Sequence, residues 1–172
     1  MAQPIAPEPA AFTAAQRQVA RFRPTDSKAP NQNDLRAFVH TWFAGFDHIE
    51  PAEFFLAHWD DADMTLNMDG QVLAHDHASF RAWYADALQH IPWDFHDILD
   101  LHVTGTQASG WTAEFFVHHV GEWRDQPLQD AAPAPGRYFN RLIRANWRVE
   151  HDGQRFVIRR YELTTAQTIL AQ

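Results

Sequence analysis

The side chains in this sequence that could do chemistry are histidines and carboxylates. The chain has eleven His and no Cys in 172 residues, which excludes a disulfide framework, a thiol nucleophile and a thiolate metal centre. His96 stands near the start of a long alternating segment, and Asp47 stands at the end of an amphipathic one. A neutral imidazole can remove a proton from carbon or oxygen. A carboxylate on its other nitrogen would fix the tautomer and stabilise the imidazolium that forms. A plainer account also fits: a strand His on a polar face and an Asp terminating a helix, each satisfied by backbone. Spacing leaves both accounts open. If His96 faces a pocket, then Asp100, Glu114, His118, Asn140 and Arg144 are expected to share its side of the sheet. Arg144 would then bind a substrate oxygen or anion, the alternative being a surface ion pair with Glu114.

Two further clusters, His75-Asp76-His77 and His118-His119, invite a metal reading. Adjacent strand residues point to opposite faces, so His118 and His119 cannot both ligate one ion without distortion. Asp76 falls where a helix needs a cap. The chain carries no Gly-rich phosphate loop and no Gly-x-Ser-x-Gly elbow. Neither a metal nor a cofactor is expected.

The elements that must position these residues are legible from periodicity. Trp93 to Thr104 puts Trp93, Phe95, Leu99, Leu101 and Val103 on one parity and His96, Ile98, Asp100 and His102 on the other, as a strand does. The row containing His96 is the less apolar one, so a core-facing rule turns His96 away from the helices. A polar pocket, or a bulge that changes which face looks inward, would reverse that. Trp111 to Val120 sets Trp111, Ala113, Phe115 and Val117 against Thr112, Glu114, Phe116 and His118. Tyr138 to Glu150 and Gln154 to Leu163 follow, joined by His151-Asp152-Gly153, whose Asp-Gly suits a tight turn. Antiparallel strands this long curve strongly, and a curved sheet encloses something. Ahead of them, an Asn33 cap precedes Leu35, Phe38, Val39, Trp42, Phe43 and Phe46, one face of a helix ending near Gly45 to His48. Pro51 starts a short helix through Phe54, Phe55 and His58. Asp69-Gly70 marks a hairpin between Met64 to Met68 and Gln71 to Ala74. Asp76 or Ser79 caps a helix with the face Phe80, Trp83, Tyr84, Ala87 and Leu88, which stops before Pro92. The connection Arg124 to Gly136 has loop composition and reads as a flap.

Helices first and a long antiparallel sheet second is an α+β pattern, with helices packed on one face of a strongly curved sheet. The expected organisation is an N-terminal extension over 1–30, partly flexible and with a helix from Ala10 to Arg23, then one domain over 31–164 and a C-terminal tail over 165–172. With 45% hydrophobic residues, seven Trp and thirteen Phe, the core is ample. A formal net charge of −8 without a basic run argues against nucleic acid and anionic lipid as partners. No stretch reads as a membrane span or a secretory leader, so a soluble, cytoplasmic protein is expected. A curved sheet has two faces and the helices cover one, which predicts a homo-oligomer through the other.

With these elements in place, the chain resembles the nuclear transport factor 2-like, cystatin-like fold, a conical cup with an internal pocket, and within it the SnoaL-like family. The resemblance covers about Asn31 to Thr164. Gly45-Phe46-Asp47 followed by His58-Trp59-Asp60-Asp61-Ala62-Asp63 is similar to the first-helix end and first strand of the scytalone dehydratase, bile-acid dehydratase and dehydrochlorinase group. Gly136-Arg137-Tyr138 and Asp152-Gly153-Gln154-Arg155-Phe156 resemble that group's last hairpin. The resemblance implies catalysis by His96 with Asp47, and with His118 as the nearest match to a second pocket His. The candidate substrate contacts are Arg144, Asn140, Asp100, Trp42 and Phe46. The implied function is a lyase or isomerase-type reaction, such as a dehydratase-like elimination, on a small hydrophobic or polycyclic molecule. A SnoaL-like polyketide cyclase and a non-catalytic ligand-binding or assembly domain of the same fold are the alternatives. The resemblance also implies a homodimer or homotrimer. Phe46 stands where scytalone dehydratase has a pocket Tyr.

Overall fold

The computed structural model describes residues 29–125 and 136–171. The expected helix from Ala10 to Arg23 lies outside the described residues, as does most of the expected flap. From Asn31 onward the chain forms one compact unit.

Helix α1 spans Gln32–Asp47. Its cap is Asn31 rather than Asn33: the Asn31 side chain accepts from the Asn33 and Asp34 backbone, and Asp34 reaches back to the Asn31 N–H, completing a capping box. Leu35, Val39, Trp42 and Phe43 are buried along one stripe. Helix α2 is short, Ala52–Leu56, with Pro51 just ahead of it. Strands β1 (Leu66–Met68) and β2 (Gln71–Ala74) form the expected hairpin, and Asp69 and Gly70 take the two positive φ values its turn requires. Helix α3 spans His77–His90 behind an Asp76–Ser79 capping box.

Four long strands follow: β3 (Trp93–Thr106), β4 (Gly110–Trp123), β5 (Arg137–His151) and β6 (Phe156–Ala171). Residues 165–171, expected as a tail, continue β6 and pair with β5. The sheet order is β2-β1-β6-β5-β4-β3, antiparallel throughout except that β1 runs parallel to β6. The β5–β6 register slips in three places, each leaving an extra residue on β6. Extra residues on one strand bend it and increase its twist.

One irregularity controls the site. Between Leu99 and His102 the β3–β4 register skips, and Asp100 takes φ +52°, a left-handed conformation that Asp tolerates better than most residues. After this bulge Leu101 and Val103 face the helices; before it Asp94, His96 and Ile98 do. The expected apolar row of β3 is therefore split. Trp93, Phe95 and Leu99 lie exposed on the outer face, at 43%, 53% and 40%. On β4 the parity holds as expected, with Trp111, Ala113, Phe115 and Val117 buried under α1.

Candidate active site

Asp47 is the last residue of α1, and the chain leaves the helix in a tight reversal. The Glu50 N–H donates to the Gly45 carbonyl and the Ile49 N–H to the Phe46 carbonyl, both at 2.9 Å, with Ile49 at φ +55°. A β-branched residue in this conformation is strained by about 1–2 kcal/mol. It sits on the rim of the cavity beside Asp47, as stored strain at functional sites often does.

The Asp47 Oδ1 accepts the backbone N–H of His96 at 3.1 Å and lies 2.7 Å from its Nδ1. A carboxylate only accepts, so the proton of the neutral ring resides on Nδ1 and Nε2 carries the free lone pair. The His96 and Asp47 side chains are 8% and 20% exposed. The ring lies between Phe43 and Phe46, with centroids 5.5 and 5.7 Å away.

Beside it stands a second imidazole that sequence reasoning did not select. His119 pairs directly across from His96, and the rings stack 4.2 Å apart at 17°. Arg141, next along on β5, directs Nε and Nη2 to the His119 Nδ1 at 3.3 and 3.2 Å. Nδ1 is thus the accepting nitrogen, and the His119 proton is on Nε2, 3.4 Å from Asp94 Oδ2. The same Asp94 oxygen is 3.8 Å from the His96 Nε2. Burial pushes the His119 pKa down to about 4, only partly opposed by Asp94, so this ring is neutral at ordinary pH. The Arg141 guanidinium lies over the Phe139 ring at 4.9 Å. Burial also lowers its pKa, opposed by Asp69 and Asp94, and guanidinium remains charged regardless.

These groups line a cavity of about 610 Å³, whose other walls are mostly apolar, including Phe46, Leu88, Val117, Ile143 and Leu163. That volume matches sites for ligands the size of a small drug. Tyr84 also lines it, but its hydroxyl donates to the Glu50 carbonyl at 2.9 Å, and burial pushes its pKa to about 12.

Of the residues expected to share the site, His96, Asp47 and Phe46 line the cavity. The others do not, and the β4 and β5 parities explain why. His118 points to the outer face, where it meets Asn140 Oδ1 at 2.8 Å. Arg144 is exposed on that face, 3.9 Å from Glu114, the surface pair named above as its alternative. Asp100 sits at the bulge and contacts His102 at 3.0 Å. Trp42 is fully buried in the core and off the cavity wall. The second imidazole and the cation are instead His119 and Arg141. A signal for them existed: His119 shares parity with Trp111 to Val117, and Arg141 with the buried row Ile143, Ala145, Trp147 and Val149.

Asp94, His96 and His119 offer donor atoms within 4.8 Å of one another, the one such three-residue group among the described residues. Their arrangement suits a shared proton better than a cation. The His119 nitrogen nearest Asp94 is protonated, because Arg141 occupies the other nitrogen. The two rings also stack face to face rather than converging by their edges on one point.

No family model matches the chain, and no curated protein matches its sequence. Solved structures do match. A protein proposed to be an aromatic ring hydroxylase, from Novosphingobium aromaticivorans, is 15% identical, with a TM-score of 0.64 over 80% of this chain and 90% of that one. A hexachlorocyclohexane dehydrochlorinase (LinA, type 2) is 10% identical, with a TM-score of 0.63 over 95% and 93%. A proposed scytalone dehydratase, also from N. aromaticivorans, is 11% identical, with a TM-score of 0.55 over 94% and 90%. At such identities the likeness concerns architecture, and the sheet order, the curvature and the helices on one face agree with it: the chain has the α+β cone of the nuclear transport factor 2-like, cystatin-like fold.

Proposed function

We propose that the protein catalyses an elimination on a small hydrophobic or polycyclic molecule, with His96 as general base. The observation that carries this reading is the 2.7 Å contact of Asp47 with the His96 Nδ1 inside an otherwise mostly apolar cavity. The His96 Nε2 takes a proton from carbon, the C–H electrons form the new double bond, and the leaving group departs with its own pair. The imidazolium that results lies between the Asp47 and Asp94 carboxylates, and each stabilises it. Arg141 is the cation nearest the developing negative charge on the leaving atom. The neutral His119 ring, held by Arg141 at Nδ1 and by Asp94 at Nε2, positions the Arg141 guanidinium there. Two fold neighbours, a dehydrochlorinase and a proposed scytalone dehydratase, are named for eliminations.

The working form is a homodimer or homotrimer, joined through the outer face on which Trp93, Phe95, Leu99 and Tyr138 lie exposed. None of them but Trp93 touches the cavity.

The test is turnover of a panel of β-hydroxy and β-halo cyclic compounds, followed by absorbance of the new double bond. His96→Ala should lose about 10²- to 10⁴-fold in kcat, the usual contribution of a general base. Asp47→Asn should lose less, and mainly in kcat rather than KM. Parent-like rates in His96→Ala would refute the assignment.

A further inference from the structure

Three indole N–H groups in the core, those of Trp42, Trp59 and Trp147, are buried without a hydrogen-bond partner. An unpaired buried donor costs about 1–3 kcal/mol, and native proteins seldom keep several together unless something else satisfies them. Two of the three flank one residue. Tyr161 packs against Trp147 and Trp42, with ring centroids 4.9 and 6.4 Å away at steep angles. Tyr161 is 3% exposed, and what remains open of it lines the cavity.

The electrostatics show what this phenol can do. Burial raises its pKa far above the ordinary value, and the Trp147 and Trp42 N–H groups beside its oxygen bring it only partly back. The hydroxyl is therefore protonated at neutral pH, so it is a donor and not a base. The two indoles are near enough to influence the oxygen, yet neither completes a hydrogen bond of its own. The Tyr161 oxygen is the acceptor that both indoles approach, and the arrangement leaves the Tyr161 O–H without an acceptor of its own. Phe43 separates it from the histidines, with its ring 6.4 Å from Tyr161 and 5.5 Å from His96.

We propose that the Tyr161 hydroxyl, backed by the Trp42 and Trp147 N–H groups, is a second polar subsite of the cavity that takes a hydroxyl or carbonyl oxygen of the ligand. This deepens the reading of the cavity as a substrate site by giving the substrate a class. It is a ring-sized apolar body with an oxygen at the end remote from the carbon that His96 deprotonates. The oxygen supplies the acceptor that the Tyr161 O–H lacks, while the Tyr161 oxygen itself faces the two indole N–H groups. A purely hydrocarbon ligand leaves that hydroxyl unpaired and is discriminated against, as sites with buried hydrogen-bonding groups do.

Binding of two probes that differ by one oxygen tests the subsite without any need for turnover. ¹⁵N-labelled protein is titrated with 2-naphthol or with naphthalene and followed by its indole N–H resonances, assigned with single Trp→Phe variants. The parent should bind 2-naphthol about tenfold more tightly, the worth of one net hydrogen bond. The Trp42 and Trp147 resonances should move with 2-naphthol more than with naphthalene. Tyr161→Phe, which deletes one atom, should abolish the preference and leave the naphthalene affinity in place. Equal affinities in the parent would overturn the proposal. So would a preference that survives Tyr161→Phe, which would place the oxygen at the histidine end. If Tyr161→Phe does not fold, the parent's two affinities and the indole shifts still decide. None of these outcomes depends on His96 being a base, so the subsite and the elimination chemistry stand or fall separately.

Discussion

Two rows of side chains cross the same face of the same strands and meet opposite fates. In one, Val103, Ala113 and Trp147 are neighbours from β3 to β5, all at most 5% exposed, and Trp42 of α1 packs over Trp147. In the other, His96, His119 and Arg141 are neighbours across β3 to β5 and border a cavity. What differs is the turn of α1 above each row. Trp42 and Phe43 fill the space over the first; one turn later Phe46 and Asp47 cover the second with a ring and a carboxylate. Both rows are inner-facing, so burial alone does not separate packing from chemistry. The distinction lies in whether the covering helix supplies volume or a hydrogen-bond acceptor.

The comparison breaks most visibly at the packed row. Trp147→Ala should destabilise by about 3–5 kcal/mol in urea unfolding, because the large ring is replaced by a void among Trp42, Phe115 and Tyr161. A loss under 1 kcal/mol would show that this row is not the core. The polar row should respond to pH instead. His119 is held neutral by burial with its pKa at about 4, below the 6.5 of an ordinary His. Its contribution to stability is therefore complete above about pH 6.5 and is lost as pH falls through about 4, on the order of 3 kcal/mol in all. His119→Gln should flatten that stretch of the stability–pH curve relative to the parent, and an unchanged slope would show that the burial is not felt. The smallest effect belongs to neither row. Phe95→Ser with Leu99→Ser, both on the outer face, should change the stability of a protomer by no more than about 0.5 kcal/mol each. The pair should nevertheless shift the mass measured by light scattering from oligomer to monomer. A monomeric parent would remove the oligomer proposal.

Much of this was legible because it is periodic or local. The α1 stripe from Leu35 to Phe46, the Asp69-Gly70 turn, the Asp76 cap and the inward row from Trp111 to Val117 all follow from spacing and turn chemistry. The misplaced residues share a physical cause. His118, Asn140 and Arg144 were grouped with His96 on the assumption that β3 keeps one parity along its length, and the bulge at Asp100 shows that it does not. A bulge adds one residue to a strand without changing composition, so an alternation count passes over it. The same slip hid His119 and Arg141, although each lay on the correct parity of its own strand. The α1 cap was misplaced by two residues for a different reason: two Asn flank Gln32, and only Asn31 has Asp34 three residues on to complete the box.

That extra residue on β3 has a consequence for how such a site arises. Without it, the first half of the strand would turn over, bringing Trp93, Phe95 and Leu99 inward and sending Asp94 and His96 out. Three bulky apolar side chains would then occupy the space the cavity now holds, and the strand would read as an ordinary stretch of core. A single inserted codon therefore separates a filled cone from a hollow one with a histidine in its wall. In this fold the gain or loss of a pocket is reachable by a change in strand length alone, with every other residue kept.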